Sequence, residues 1–169
     1  MKKIILSLAV FFTATTLVSA QDGAFEKGDK LLNLGVGVGT YYGPESAVSL
    51  GGSFEVGVAD YISVGGQLDI YSNKYFGYRY TYIPVAGRAS YHFGKHFLTV
   101  DNLDLYAGAA LGFYFYGDDD DFDRSIDDDG GVFVGVFAGA RYYFKPNFGV
   151  FGELGANTAA LKLGVAFKF

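Results

Sequence analysis

The chain has 169 residues, of which half are hydrophobic and 18% are aromatic, while only 18% are charged. This length fits a single domain, and the high apolar content excludes intrinsic disorder. The absence of cysteine excludes disulfide scaffolds, thiolate metal sites, thiol nucleophiles and the attachment of lipid to cysteine.

Residues 1–20 have the pattern of a secretory signal peptide. A short basic start is followed by an apolar run over residues 4–18, and small residues precede a cleavage site after Ala20. We expect cleavage at this point, which leaves residues 21–169 as one domain. An uncleaved anchor helix is the alternative, although the run is short for a membrane span.

After residue 21 the dominant pattern is a period of two, in which hydrophobic residues alternate with small or polar ones. The alternation repeats in eight segments, at about 32–39, 48–58, 62–70, 82–93, 104–115, 132–143, 150–157 and 161–169. Each segment has about ten residues, the length that a tilted strand needs to cross a bilayer core. The sequence therefore predicts an all-β fold, an eight-stranded antiparallel up-and-down transmembrane β-barrel, closed so that no sheet edge meets lipid.

The connections between the predicted strands differ in character at the two ends. Turns are expected at residues 60–61, 94–102 and 146–147, at the periplasmic end, whereas more polar loops are expected at residues 41–46, 72–79 and 117–130, at the outer end, with a short fourth loop at Asn157 and Thr158. Short periplasmic turns and longer outer loops are typical of transmembrane barrels.

One face of the predicted strands carries almost no charge. A soluble eight-stranded barrel would carry charges on its outer face, so we expect the uncharged face to point outward and contact lipid. The opposite face is rich in glycine, and a lumen charge network is predicted there at Glu55, Asp69, Arg88, Arg141, Glu153 and Lys162, with Asp104 and Lys168 on the same face. Eight strands enclose a narrow interior, and buried charges must pair. We therefore expect salt bridges that fill the lumen, with a narrow ion path as the alternative.

Aromatic residues gather at both ends of the predicted strands. One set lies at the turn end: Tyr61, Tyr91, Phe93, Tyr142, Phe144, Phe148, Phe167 and Phe169. The other lies at the loop end: Tyr41, Tyr42, Tyr75, Phe76, Tyr78, Tyr80, Phe113, Phe115 and Tyr116. Two such sets are typical of the interfacial girdles of outer-membrane barrels. Strand propensity alone would explain the number of aromatic residues but not their clustering at the ends.

The chain ends in the alternating segment LKLGVAFKF, which closes on Phe169. This ending is similar to the C-terminal signal by which bacterial barrels are recognised for assembly. Together with the signal peptide and the eight strands, it resembles the small outer-membrane β-barrel family that includes the OmpA barrel domain, OmpX and OmpW. The resemblance implies a location in the bacterial outer membrane, contact with membrane lipid and lipopolysaccharide, and insertion by the barrel assembly machinery. The opening FEKGDK and the glycine-alternating first strand are most similar to barrels of the Bacteroidota type.

The sequence contains little from which a catalytic site could be built. Its two histidines, His92 and His96, both fall at the predicted periplasmic turn end, so that no Ser-His-Asp arrangement can form near the outer leaflet. A metal pair formed by the two histidines is one interpretation, and a solvated turn is the preferred one. We therefore expect neither an enzyme nor a bound cofactor.

The net negative charge of the chain comes from one predicted loop. Without the two lysines of the signal peptide the chain has 11 basic and 18 acidic residues, a net charge of −7, and residues 118–130 alone also sum to −7. The aspartates concerned are Asp118, Asp119, Asp120, Asp121, Asp123, Asp127, Asp128 and Asp129. Carboxylates can bind hard cations, but the spacing is not that of an EF-hand, and we expect a solvated run that binds cations weakly if at all.

These features predict a barrel that is closed at its core and acts through its outer loops. The favoured function is structural or surface interaction, such as membrane integrity, adhesion or the binding of an extracellular protein or surface ligand. The alternative is a narrow channel for small solutes or ions. Outside the acidic loop the chain is neutral, so no basic patch exists to bind nucleic acid.

Overall fold

The computed structural model describes residues 24–39, 48–75, 78–118 and 130–169. The eight strands are β1 (Lys30–Val38), β2 (Val48–Ala59), β3 (Ile62–Tyr75), β4 (Tyr78–His92), β5 (Leu103–Asp118), β6 (Gly131–Lys145), β7 (Phe148–Ala156) and β8 (Leu161–Lys168). They form one closed antiparallel barrel in sequential order, which confirms the predicted fold class. Within the described residues, no helix is long and apolar enough to cross a membrane.

The barrel closes where the first and last strands pair. β1 and β8 are antiparallel partners from Leu31 opposite Lys168 to Val38 opposite Leu161. The ladder continues at the base, where the Lys30 N–H donates to the Phe169 carbonyl at 2.9 Å and the Phe169 N–H donates to the Lys30 carbonyl at 3.0 Å. Closure gives each strand two partners and so removes the exposed edges that an open sheet would present.

The two faces of the wall have the reverse of the polarity found in a soluble protein. Outward positions are apolar and open, as at Leu50 and Leu154, whose side chains are 68% and 61% exposed. Inward positions are small, aromatic or polar, and eighteen polar or charged residues are buried in the described part of the chain. The period-two pattern of the sequence produces this arrangement because successive side chains of a strand point to opposite faces.

The predicted loop at residues 72–79 is wrong for most of its length. β3 continues to Tyr75 and β4 begins at Tyr78, with a register that runs from Ser72 opposite Thr81 to Tyr75 opposite Tyr78. The apolar alternation marks only the part of a strand that has one apolar face. The polar ends of β3 and β4 pair beyond that belt and therefore read as loop in the sequence.

Several sequence-based expectations lie outside the described residues. These are the signal peptide at 1–20, the loop at 41–46, and Asp119, Asp120, Asp121, Asp123, Asp127, Asp128 and Asp129 of the acidic loop. Asp118 is the last residue of β5, so the strand extends into the segment predicted as loop.

The turn end carries the aromatic set that the sequence predicts there. Ring pairs are formed by Tyr61 with Tyr91, by Tyr142 with Phe144, and by Phe148 with Phe167, at centroid distances of 6.2, 5.3 and 5.5 Å. At the loop end, Phe113 and Phe115 point outward. Tyr41, Tyr42 and Phe76, and the side chains of Tyr75, Tyr78, Tyr80 and Tyr116, lie outside the described part of the structure.

Candidate functional site

The centre of the lumen is occupied by a carboxylate held between two guanidinium groups. Glu55 of β2 lies with its Oε1 2.8 Å from Nη2 of Arg141, which comes from β6 on the opposite wall. The same oxygen lies 3.4 Å from Nε of Arg88, which comes from β4. Glu55 and Arg141 are fully buried and the side chain of Arg88 nearly so, so these charges stabilise one another where water cannot.

Two further carboxylates complete this network. Arg88 donates from Nη2 to Oε2 of Glu153 at 2.8 Å, and Arg141 donates from Nη1 to Oδ2 of Asp104 at 2.8 Å. Nη1 of Arg88 also donates to Oε1 of Gln67, at 3.0 Å. The network therefore joins side chains from β2, β3, β4, β5, β6 and β7 across the whole width of the barrel.

Both guanidinium groups also lie over aromatic rings. Arg88 is 3.9 Å from the ring centroid of Phe137, and Arg141 is 3.9 Å from that of Tyr106. Inward glycines leave space for these rings: a Cβ at Gly108 would come within 2.5 Å of Phe137, and one at Gly139 within 2.6 Å of Tyr106. Glycine on this face thus permits a dry, layered packing of ring and cation.

A second, separate ion pair lies in the lumen. Lys162 of β8 donates to Oδ2 of Asp69 on β3 at 2.6 Å, and its ammonium lies 3.4 Å from the Thr158 hydroxyl. Ser49 contacts the other Asp69 oxygen at 3.4 Å. The six residues of the predicted network thus divide into one set of four, Glu55, Arg88, Arg141 and Glu153, and the pair Asp69 and Lys162. Asp104 belongs to the first set.

Asn157 and Thr158 form no exposed loop, contrary to the sequence-based expectation. Both are buried, and the connection between β7 and β8 folds inward. Asn157 exchanges two hydrogen bonds with Gln67, at 2.8 and 3.1 Å, and the Tyr71 hydroxyl donates to the Thr158 carbonyl. Polar residues in a short connection read as solvent-exposed, but here the lumen supplies amide and hydroxyl partners of its own.

The turn end of the lumen is covered by residues 24–29, a feature that sequence reasoning missed. The Gly28 N–H donates to the Gly57 carbonyl and the Gly57 N–H to the Asp29 carbonyl, both at 2.8 Å. Phe25 is 1% exposed and stacks on the ring of His92, with centroids 3.5 Å apart and planes 4° apart. The signal available in the sequence was an isolated phenylalanine before the polar EKGDK.

His92 is buried inside the barrel, so the expectation of a solvated turn is wrong for this residue. β4 continues through His92, whose even number places it on the same inward face as Arg88 and Ser90. His96 is exposed and lies 2.7 Å from the Tyr91 hydroxyl, so the two histidines do not form a metal pair. Within the described residues, no cluster of three or more His, Cys, Asp or Glu side chains could hold a metal ion.

His92 contacts a serine and an aspartate in the order of a hydrolytic triad. Its Nε2 lies 2.9 Å from the Ser63 hydroxyl and its Nδ1 lies 2.8 Å from Oδ1 of Asp104. However, the Ser63 hydroxyl donates to Glu55 at 2.8 Å, and all three members are buried. A nucleophile needs its proton on the base and an open side for the substrate, and Ser63 has neither.

No protein-family model matches the chain, and no curated protein matches its sequence. Solved structures do match. The outer membrane protein OprG from Pseudomonas aeruginosa superposes with a TM-score of 0.60 at 13% identity, over 88% of this chain and 98% of that one. Neisserial surface protein A gives 0.54 at 18% identity, over 83% and 96%. The attachment invasion locus protein Ail of Yersinia pestis gives 0.51 at 14% identity, over 85% and 99%.

The chain has the fold of the small outer-membrane β-barrels. These structures agree in architecture with the family that the sequence resembles. Identities of 13–18% establish the fold alone.

Proposed function

We propose that this chain is a β-barrel protein of the bacterial outer membrane, exported by residues 1–20 and held by its apolar outer face. Support comes from the exposed belt that includes Leu50 and Leu154, and from the fold shared with outer-membrane proteins. In water such a belt would promote aggregation, whereas in a bilayer it contacts hydrocarbon chains that are equally apolar. The opening FEKGDK adds the proposal of a Bacteroidota-type barrel.

Within the membrane, the proposed role is structural or surface interaction through the outer loops. The observation that carries this role is obstruction of the lumen at three places: by Phe25 at the turn end, by the network around Glu55 and Arg141, and by the inward-folded Asn157. With the lumen filled in this way, the described residues leave no path through the barrel for a solute. Two structural neighbours, named as an attachment protein and a surface protein, support a role at the cell surface.

The proposed partners follow from this placement. Membrane lipid and lipopolysaccharide surround the barrel, the barrel assembly machinery recognises the end at Phe169, and an extracellular protein or other surface ligand binds the loops. The acidic loop is proposed to bind divalent cations weakly at most. Calcium calorimetry on the unmodified protein and on a variant with Asn at positions 118–121 tests this, because submicromolar affinity lost in the variant would overturn it.

A narrow channel is the second candidate function, favoured by the ionisable side chains along the lumen. Planar-bilayer recording of the purified protein separates the two. We expect no stable conductance from the unmodified chain and ion flow from a variant in which all three obstructions are truncated (Phe25→Ala, Arg88→Ala, Glu153→Ala and Asn157→Ala), which also shows that the protein has inserted. Large, stable conductance of the unmodified protein, unchanged in the variant, would establish the channel and contradict the closed lumen.

Membrane placement has its own test. After cell fractionation, we expect the full-length chain in the outer-membrane fraction, retained through an alkaline carbonate wash. Recovery in the periplasm or the wash would contradict the proposal irrespective of the bilayer recordings.

A further inference from the structure

The hydrogen-bond partners of His92 determine where its protons lie. One ring nitrogen, Nε2, is 2.9 Å from the Ser63 hydroxyl oxygen, and the other, Nδ1, is 2.8 Å from Oδ1 of Asp104. Ser63 Oγ in turn lies 2.8 Å from Oε2 of Glu55. A hydroxyl has one proton, so Ser63 can donate to Glu55 or to His92 but not to both.

The contacts of Glu55 and Asp104 are those expected of ionised carboxylates. Glu55 accepts from the Ser63 and Ser90 hydroxyls at Oε2, at 2.8 and 2.5 Å, while its Oε1 faces the two guanidinium groups of Arg88 and Arg141. Asp104 accepts from Arg141 at Oδ2. An ionised carboxylate only accepts hydrogen bonds, so the Ser63 proton points to Glu55 and the proton between Asp104 and the ring lies on Nδ1.

It follows that Nε2 also carries a proton, because the Ser63 oxygen has only lone pairs left for it. A ring with protons on both nitrogens is an imidazolium. The charge of the network agrees with this assignment: three carboxylates, Glu55, Asp104 and Glu153, face only two guanidinium groups, and His92 supplies the third positive charge. A neutral His92 would leave one buried negative charge uncompensated.

The imidazolium lies directly under the segment that covers the turn end. Phe25 stacks on the His92 ring at 3.5 Å. Residues 24–29 are also held by two backbone hydrogen bonds to Gly57, by the Lys168 ammonium 3.9 Å from Asp29 Oδ2, and by the contacts of Ala24 with Tyr143, Phe151 and Ala166. A cation over a ring face is attracted more strongly than a neutral ring. We propose that protonated His92 is a latch that holds residues 24–29 over the periplasmic end of the lumen, and that loss of its proton releases them.

The sign of the effect follows from which state binds the proton. Only the docked state places the Phe25 ring over the His92 imidazolium, so docking is favoured while His92 is charged and weakens as the pH rises. The other titratable and charged groups in the same end of the lumen are Asp104, Glu55, Arg88, Arg141, Tyr106, Tyr143, Asp29 and Lys168. Of these groups, Asp29 lies in the covering segment itself and burial raises its pKa, so Asp29→Asn is needed to remove its titration from the measurement.

The first test reads the proton directly in the unmodified protein. The chain has two histidines, so ¹⁵N-labelled histidine in detergent-solubilised protein gives two ring signals, and His96 serves as the exposed reference. At neutral pH we expect the His92 ring signals to show protons on both nitrogens. A neutral His92 ring at neutral pH would overturn the proposal.

The second test measures release of the segment, using the absence of cysteine. Ala24→Cys places a thiol at a buried position, and Lys27→Cys places one at an exposed position of the same segment. The ratio of their maleimide labelling rates cancels the ordinary increase of thiolate with pH. Between about pH 5 and about pH 10 we expect this ratio to rise about tenfold, as for the loss of one largely desolvated cation–π contact.

A matched pair of substitutions assigns the effect to the buried histidine. In the Ala24→Cys/Asp29→Asn background, which lacks the titration of Asp29, His92→Gln should raise labelling at low pH and remove the pH dependence, whereas His96→Gln should change neither. A labelling ratio that stays constant with pH in the unmodified background would overturn the latch, even with a charged His92. These outcomes do not depend on whether the lumen conducts.

Discussion

Arg141 and Glu55 meet at 2.8 Å across the lumen from strands that lie on opposite walls, 86 positions apart in the sequence. In an eight-stranded closed barrel, β2 and β6 are separated by three strands on either side. The contact therefore ties opposite walls together at a level where both side chains are fully buried. Such a cross-lumen contact stabilises the barrel only while both partners are present.

The first prediction is that Arg141→Ala strongly destabilises the barrel. The substitution leaves Glu55 with only Arg88 as a cationic partner and deprives Asp104 of its guanidinium. We expect a loss of about 3–5 kcal/mol in the free energy of unfolding, as for other broken buried ion pairs. Urea unfolding in lipid vesicles measures it. Lys145→Ala, at the exposed end of the same strand, is the control and should leave the unfolding midpoint nearly unchanged.

The second prediction concerns coupling between Arg88 and Glu153, whose Nη2 and Oε2 atoms lie 2.8 Å apart. Each single substitution to Ala leaves a buried charge without its partner, whereas the double substitution removes both charges together. The double variant should therefore lose less stability than the sum of the two single variants, by a coupling of about 0.5–3 kcal/mol. Additive losses in the unfolding cycle would show that the two charges act independently.

The positions of these residues could be predicted from the sequence, but their partners could not. The period of two places Glu55, Arg88, Arg141 and Glu153 on the inner face, because parity along a strand decides the face. Partner choice depends on the stagger between strands, which alternation does not contain. Arg141 lies beside Asp104 in the β5–β6 register, yet it also reaches Glu55 on the far wall.

His92 and Asn157 show where the period-two interpretation ends. Both lie at strand ends, beside predicted connections in which polar residues are typically exposed to solvent. The sequence therefore predicts solvent at both positions, while the structure gives His92 an inward face and folds Asn157 back onto Gln67. The inward folding depends on space left by Gly135, where a Cβ would approach Asn157 Oδ1 to 2.5 Å.

The third prediction tests the apolar outer face. Val56 points outward from β2, so Val56→Arg would place a guanidinium in the hydrocarbon region of a bilayer. We expect a loss of about 2 kcal/mol in the free energy of unfolding from lipid vesicles. Asp60→Arg, in the turn that follows the same strand, is the control and should have little effect because it stays in water. Equal stability of the two variants would contradict burial of this face in lipid.

The fourth prediction concerns the last residue. Phe169 points outward at 47% exposure, while its backbone closes the barrel against Lys30. Removal of Phe169 should lower the amount of assembled protein in the outer membrane and leave export to the periplasm intact, because the signal peptide proposed at residues 1–20 is a separate element. Phe97→Ala removes a more exposed aromatic side chain at the same end, at 64% exposure, and should not alter assembly. Normal membrane levels without Phe169 would exclude it as the assembly signal.

The fifth prediction is a pH dependence that Asp29 imposes on the covering segment. Burial raises the pKa of Asp29 above its ordinary value of 3.8, and a hydrogen bond from the Glu26 N–H and the charge of Lys168 offset this only in part. Its Oδ1 accepts no hydrogen bond within the described residues. The ionised carboxylate is therefore less stable here than in water, despite the Lys168 ammonium 3.9 Å from Oδ2.

Because the folded state binds this proton more tightly than the unfolded chain, the contribution of Asp29 to stability increases as the pH falls through its raised pKa. Asp29→Asn keeps an acceptor for the Glu26 N–H and removes the buried charge. The variant should be more stable than the unmodified protein at neutral pH, and the difference should shrink as acid protonates Asp29. Urea unfolding curves of the variant and the unmodified protein over the acidic range measure this difference in stability. The titration of all other groups is common to both proteins and cancels. A variant that is less stable at neutral pH, by a margin that shrinks in acid, would show that attraction to Lys168 outweighs the cost of burial.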